Sequence, residues 1–370
     1  MMIDRRRFLA ATTCFAYLGS EVKALSPEDA DPFAGQLLIT GFRGTGPSDP
    51  EVDQLRRYIE DGIVSGVILL RRNIRSPEQL LNLTTSLQST SSEHPVIIAI
   101  DQEGGEVTRL DRRSGFLPWM SAADMAASGR KNDEVFEYYS VRARELSVVG
   151  VNLNLGPVVD LNVNPYNPII GAKGRAYGSQ VEDVVRFAEL FIRAHRSEGV
   201  KTCLKHFPGH GSSVGDSHFG TVDISKTWSA EEIAPFERLV RAGLADTIMN
   251  SHVLHRHLSD AAWIPTSLSK SSVAEMREGL SFTGPIITDD MQMGAIADFM
   301  PARDASIAAV SAGNSLLIYS NYADRYSVRS INEVHQKLIS AIQDGTLPAP
   351  LVAEHARLVR NFRKSLINHH

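Results

Sequence analysis

The chain has 370 residues, 43% hydrophobic and 22% charged, with a formal net charge of -5. These are the proportions of a folded globular protein, and the mild acidity gives no electrostatic footprint for nucleic acid or an anionic membrane surface. Cysteine is confined to Cys14 and Cys203, which excludes a disulfide framework.

The first residues do not read as part of the fold. Arg5-Arg6-Arg7-Phe8-Leu9-Ala10 sets arginines ahead of a short apolar stretch, 8–18, and Val22-Lys23-Ala24 supplies a small-x-small cleavage pattern. Residues 1–24 are expected to be a twin-arginine-type signal, which implies a periplasmic or secreted protein. Without a functional signal, a cytoplasmic location follows. The stretch is too short to span a membrane. Ala11-Thr12-Thr13 before Cys14 makes a poor lipoprotein box, so no stable membrane association is expected.

From there, short β-rich runs alternate with longer amphipathic stretches. The runs lie at 36–41, 64–70, 95–100, 149–159, 200–204, 247–250, 285–288 and 315–319. Several are continuously apolar, as parallel strands covered on both faces require. Ser76-Pro77-Glu78-Gln79 predicts a capped helix start with proline at the first helical position. Residues 181–195 keep apolar side chains near 3.6 spacing, Ser229-Ala230-Glu231-Glu232 reads as a capping box, and 332–362 reads as closing helices. Eight strands separated by helices predict a single α/β domain, 25–370, folded as a (β/α)8 barrel with no second domain; a doubly wound open sheet is the rival.

Polar residues gather where the runs end. Ile100 is followed by Asp101-Gln102-Glu103-Gly104-Gly105, Leu204 by Lys205-His206-Phe207-Pro208-Gly209-His210-Gly211, Met249 by Asn250-Ser251-His252, and Ile287 by Thr288-Asp289-Asp290-Met291. In a barrel all four ends open on one mouth. Carboxylates, a lysine and histidines in one pocket are costly to bury unless they do chemistry or bind a polar ligand. No HExxH, CxxC, GxGxxG or Walker pattern occurs, so no metal or nucleotide cofactor is expected. Carboxylate-bearing strand ends suit glycoside chemistry, in which one group faces the anomeric carbon and another the leaving oxygen. Asp160, at the end of the fourth run, is left open between a turn cap and a pocket residue; Trp119, Trp228 and Trp263 are expected to pack rather than to stack on sugar.

The runs Lys205-His-Phe-Pro-Gly-His-Gly, Asp216-Ser217-His218 and Thr288-Asp289-Asp290-Met291 closely resemble glycoside hydrolase family 3, in particular its single-domain β-N-acetylglucosaminidases. Asp101-Gln-Glu-Gly-Gly, Arg109, Gly174-Arg175-Ala176-Tyr177-Gly178 and Ser251-His252-Val253 complete the likeness. The resemblance implies Asp289 as nucleophile and His218 as general acid/base, oriented by Asp216. It implies Asp101, Arg109, Arg175, Lys205 and His206 as sugar ligands, with His252 in the same pocket. On the family pattern Asp290 is a hydrogen-bonding support; from their own surroundings Glu103 is expected to order the Gly104-Gly105 turn, and His210, in a Gly-flanked turn, to be architectural. The implied activity is retaining hydrolysis of terminal β-linked N-acetylglucosamine from peptidoglycan fragments or chitooligosaccharides by a monomer whose partner is a small carbohydrate. Ser212, where the family commonly has an acidic residue, and Phe219-Gly220-Thr221-Val222 depart from the pattern and leave leaving-group preference open. Family 3 phosphorolysis, β-glucosidase activity, and a non-catalytic sugar-binding barrel are the alternatives. The small residues Ser212-Ser213-Val214-Gly215 suggest that the His218 loop moves.

Overall fold

The computed structural model describes residues 31–91, 93–323 and 326–366, and the signal-like segment 1–24 lies outside them. In chain order the strands are β1 (Leu38–Thr40), β2 (Gly66–Leu69), β3 (Ile97–Ile100), β4 (Leu153–Asn154), β5 (Lys201–Phe207), β6 (Val222–Asp223), β7 (Thr247–Asn250), β8 (Val253–Leu254), β9 (Ile286–Asp290) and β10 (Leu316–Tyr319). The helices are α1 (Asp31–Ala34), α2 (Pro50–Glu60), α3 (Pro77–Gln88), α4 (Ala122–Ala127), α5 (Asn132–Val148), α6 (Val181–Ser197), α7 (Ala234–Arg241), α8 (Lys270–Ala274), α9 (Gly294–Ala297), α10 (Ala302–Ala312), α11 (Ser330–Gln343) and α12 (Ala349–Lys364).

Eight parallel strands close in the order β1-β10-β9-β7-β5-β4-β3-β2. The closing register, Leu38 to Leu317, Ile39 to Ile318 and Thr40 to Tyr319, removes the free edges that an open doubly wound sheet would have. Each of the eight expected runs marks one barrel strand, with β5 and β9 running on past their runs to Phe207 and Asp290. Ile97, Ile98, Ala99 and Ile100 are all fully buried, because the lumen covers one face of β3 and the helical ring the other. Each of the three isoleucine side chains contributes about 1.5–3 kcal/mol on leaving water.

Three details differ from the sequence reading. The run 149–159 yields only the two-residue β4, because Pro157 has no N–H to continue the ladder; one bridge, Val158 to Lys205, resumes it. The Ser76 cap forms, its hydroxyl accepting from Gln79 N at 3.1 Å. Ser229, however, caps nothing with its side chain: a single 3-10 turn, Ala230–Ile233, stands before α7, and Glu232 turns inward. The pair β6–β8 is an addition that two-residue strands gave no periodicity to reveal; it joins the loop after β5 to the segment after β7, over a small cluster of Val222, Ile224 and Val253.

Candidate active site

The mouth is built by the C-terminal ends of the strands. On β5 the consecutive residues Lys205 and His206 both contribute side chains to it, where a regular strand would send them to opposite faces. The β5–β7 register shifts between Leu204 and Phe207, which is the irregularity that permits this.

A continuous charged chain lines one wall. Arg109 reaches Asp101 Oδ2 at 3.3 Å, Lys205 Nζ reaches Asp101 Oδ1 at 2.9 Å and Glu103 Oε1 at 2.6 Å, and Arg175 grips Glu103 with two bonds of 2.7 and 2.8 Å. Burial opposes ionisation of Glu103, but Arg175 and Lys205 more than offset it and hold the carboxyl well below its ordinary range. Asp101 is lowered in the same way, by Lys205 and Arg109 against burial. The Arg175 guanidinium is nearly enclosed. It also donates to the Ile169 carbonyl and, at 3.2 Å, to His206 Nε2. Because a guanidinium only donates, His206 Nε2 is an acceptor, and the ring proton sits on Nδ1, 2.7 Å from Asp160 Oδ2.

Asp160 therefore stands behind His206 and orients its ring. It is fully buried, and its other oxygen accepts from His206 N at 3.1 Å and His210 N at 2.8 Å. Burial would raise its carboxyl; His206 and His210 hold it below the ordinary value.

Asp289 and Asp290 end β9. Burial opposes ionisation of Asp289, yet the imidazoles of His252, His206 and His218, with the Asp290 N–H at 2.8 Å, bring its carboxyl down to about 2. His252 is wholly enclosed. Its Nε2 faces the Asp290 carbonyl at 3.0 Å, so it carries the proton, and Nδ1 takes the Ser267 hydroxyl at 2.6 Å. With no exposed surface and both nitrogens engaged by protein groups, His252 stands directly behind the Asp289–Asp290 strand end.

His218 lies on the loop after β5. Its Nδ1 is 2.7 Å from Asp216 Oδ1, which also accepts the His218 N–H at 2.9 Å. That leaves Nε2 open, on a side chain 56% exposed. The loop docks on the start of α9: Gly294 N donates to the His218 carbonyl at 3.0 Å and Ala295 N to that of Ser217 at 3.2 Å. A Cβ at Gly294 would stand 2.8 Å from the His218 oxygen, so this approach requires glycine. His218 is thereby held on the same mouth as Asp289 and is close enough to help lower its carboxyl.

The structure thus brings Asp289, His218, Asp216, Asp101, Arg109, Arg175, Lys205 and His206 together. Glu103 is reassigned: it pairs with Arg175 and Lys205, while the Gly104-Gly105 turn is ordered by backbone bonds to Val107 and Trp119. Sequence reasoning left Asp160 open; its position at the end of the fourth strand was the signal. Trp119 and Trp228 pack, the first in a cluster with Tyr139, Phe191 and His195, the second over His255 with Nε1 on the Pro208 carbonyl.

A closed parallel barrel whose mouth gathers ionised carboxylates, a buried lysine and a carboxylate-backed imidazole defines a glycoside-hydrolase type of protein. The profile described as the glycosyl hydrolase family 3 N terminal domain matches residues 34–362, and the chain belongs to that family. It is 34% identical over 274 residues to a beta-hexosaminidase of Tolumonas auensis, across 72% of this chain and 78% of that one. It is 29% identical over 318 residues to beta-hexosaminidase A of Pseudoalteromonas piscicida, across 80% of this chain and 52% of that one, so it spans about half that relative's length. Among solved structures, the family 3 β-N-acetylglucosaminidase of Paenibacillus sp. matches with a TM-score of 0.81 at 30% identity, covering 90% of this chain and 62% of that one. A family 3 glycosyl hydrolase of Mycobacterium smegmatis matches with a TM-score of 0.78 at 26% identity, covering 91% and 98%.

Proposed function

We propose that the protein is a retaining β-N-acetylglucosaminidase that is exported, acts as a monomer, and trims terminal N-acetylglucosamine from peptidoglycan fragments or chitooligosaccharides. The names of its relatives support the sugar. The observation that carries the chemistry is the pairing, at one mouth, of an Asp289 carboxylate held at about 2 with an imidazole whose Nδ1 is fixed by Asp216.

In this reading the sugar ring sits against Asp101, Arg109, Lys205 and His206. Arg109 keeps a buried Nε–H without a partner, and Lys205 has a third N–H beyond the two given to carboxylates, so both retain donors for hydroxyls. Asp289 attacks C1 while His218 Nε2 gives its proton to the departing oxygen, and Asp216 stabilises the imidazolium when the ring is charged. The C1–O bond to the leaving group breaks as the C1–Oδ bond forms. The same imidazole then takes a proton from water, which displaces Asp289 with a second inversion.

The test is a substrate panel of aryl N-acetylglucosaminide against aryl glucoside, with and without phosphate, and NMR of the first-formed anomer. Preference for the N-acetyl sugar, a β-configured free sugar and indifference to phosphate are expected. A sugar phosphate product or an α-anomer overturns the reading.

A further inference from the structure

Between Ser212 and Gly220 the loop that carries Asp216 and His218 buries no apolar side chain: Val214 and Phe219 are exposed, and its buried side chains are Ser212, Ser213 and Ser217, the apolar cluster around Val222 coming only at its far end. What fills its underside is His210. The ring is enclosed and spans the loop, with Nδ1 2.9 Å from Ser213 Oγ and Nε2 3.2 Å from Ser217 Oγ. Burial pushes this imidazole down to about 4, so near neutrality it has one N–H and one lone pair. Ser213 Oγ accepts from Asn167 Nδ2 at 3.0 Å and points its own hydrogen to the Gly215 carbonyl at 3.4 Å. It therefore accepts from Nδ1–H, which leaves Nε2 to accept the hydroxyl hydrogen of Ser217. Ser217 adjoins His218, and its carbonyl is one of the two that receive the N–H groups of α9.

The other side of His210 leads to the sugar pocket. Its backbone N–H shares Asp160 Oδ1 with the N–H of His206, whose ring occupies Asp160 Oδ2. Gly211, next along, lies so close to Leu161 that a Cβ would stand 1.6 Å from its carbonyl oxygen, which fixes the chain where the loop departs.

We propose that His210 is a positioning residue of the acid/base: through Ser217 it sets the loop register that presents His218, and through Asp160 it ties that register to the sugar-facing His206. It touches no substrate. The role rests on His218 being the acid/base and adds the element that holds it in place. A displaced acid loses rate steeply with distance, and the loss is confined to substrates that need a proton on the leaving group.

The experiment compares kcat/KM of the full chain on a β-linked N-acetylglucosamine disaccharide and on the dinitrophenyl N-acetylglucosaminide, for Ser217→Ala, His218→Ala and the double variant. His210→Asn removes the same bond from the other end, should either single variant fold poorly. Ser217→Ala is expected to lower the disaccharide-to-aryl ratio about tenfold and to lower it no further when His218 is already alanine. Equal losses on both substrates, no change in the ratio, or a ratio effect that multiplies with that of His218→Ala overturns the proposal. Should His218→Ala itself fail to discriminate, the acid/base assignment falls with it, and the two failures are told apart by that control.

Discussion

Asp289 and Asp290 are chain neighbours whose carboxyls are driven in opposite directions, the first down to about 2 and the second up to about 6. Strand alternation separates them. Both are half-buried, but Asp289 meets three imidazoles, whereas Asp290 meets the neutral donors of Ser320 and Gln292 together with the Asp289 charge. Of these two, Asp289 alone combines an ionised state with a place among the histidines. Asp289→Asn is expected to reduce kcat on an aryl N-acetylglucosaminide by more than about 10⁴-fold, as removal of a covalent nucleophile does. Asp290→Asn keeps the shape of the strand end and is expected to cost no more than about 100-fold, through misplacement of its neighbour. Comparable kcat values for the two variants would reverse the assignment.

His218 supplies a second separation. Its exposed ring with a carboxylate on Nδ1 suits proton exchange at Nε2. His218→Ala is expected to slow disaccharide cleavage by roughly 10²–10⁴-fold, the usual worth of general acid catalysis. Dinitrophenolate needs no proton, so kcat/KM on that glycoside should change several-fold at most. A restored turnover in azide, with a β-glycosyl azide as product, would show that the covalent intermediate still forms.

The barrel and its mouth were legible because each depends on local pattern. Continuous apolar runs mark strands buried on both faces, and the polar clusters that end them mark the mouth. What stayed hidden depends on which partner a side chain finds across the barrel. Glu103 follows Gln102 and precedes two glycines, which suggested a turn; its partners Arg175 and Lys205 are 72 and 102 positions away. Likewise His252 stands in a motif that suggested the pocket; the β7–β9 pairing brings the Asp290 carbonyl to one of its nitrogens, and the turn Thr266–Leu268, folded back on Ser251, brings Ser267 to the other.

Glu103 carries a prediction about stability. It is the shared counter-ion of two buried cations, and deleting one member of such a set leaves uncompensated charge. Glu103→Ala is expected to destabilise the fold by about 3–5 kcal/mol, read as a fall in urea midpoint with little change in slope. A loss below about 1 kcal/mol, the range of exposed pairs, would mean that the Arg175 and Lys205 charges are compensated elsewhere.

Glu232 makes stability depend on pH in a direction opposite to the paired carboxylates. It projects from the 3-10 turn before α7 onto Ser212, the residue that stands where the family commonly has an acid. Its Oε2 accepts from Ser212 N at 3.2 Å, and the Ser212 hydroxyl is buried beside the same carboxyl. Burial, with the charge of Asp160 nearby, raises the carboxyl from 4.5 to about 7. A group whose folded value lies above its unfolded one contributes stability that is fully present below the unfolded value, here 4.5, and is lost as pH rises through about 7. At one pK unit per 1.36 kcal/mol, the whole effect is roughly 3 kcal/mol. Glutamine is neutral throughout and keeps an oxygen for Ser212 N, while its amide gains a hydroxyl to donate to. Glu232→Gln should therefore leave Tm within a degree or two of wild type at pH 5 and raise it by several degrees at pH 8. Thermal unfolding at the two pH values checks this: a Tm change equal at both would mean that Glu232 is ionised at both, with a counter-charge compensating it inside the fold.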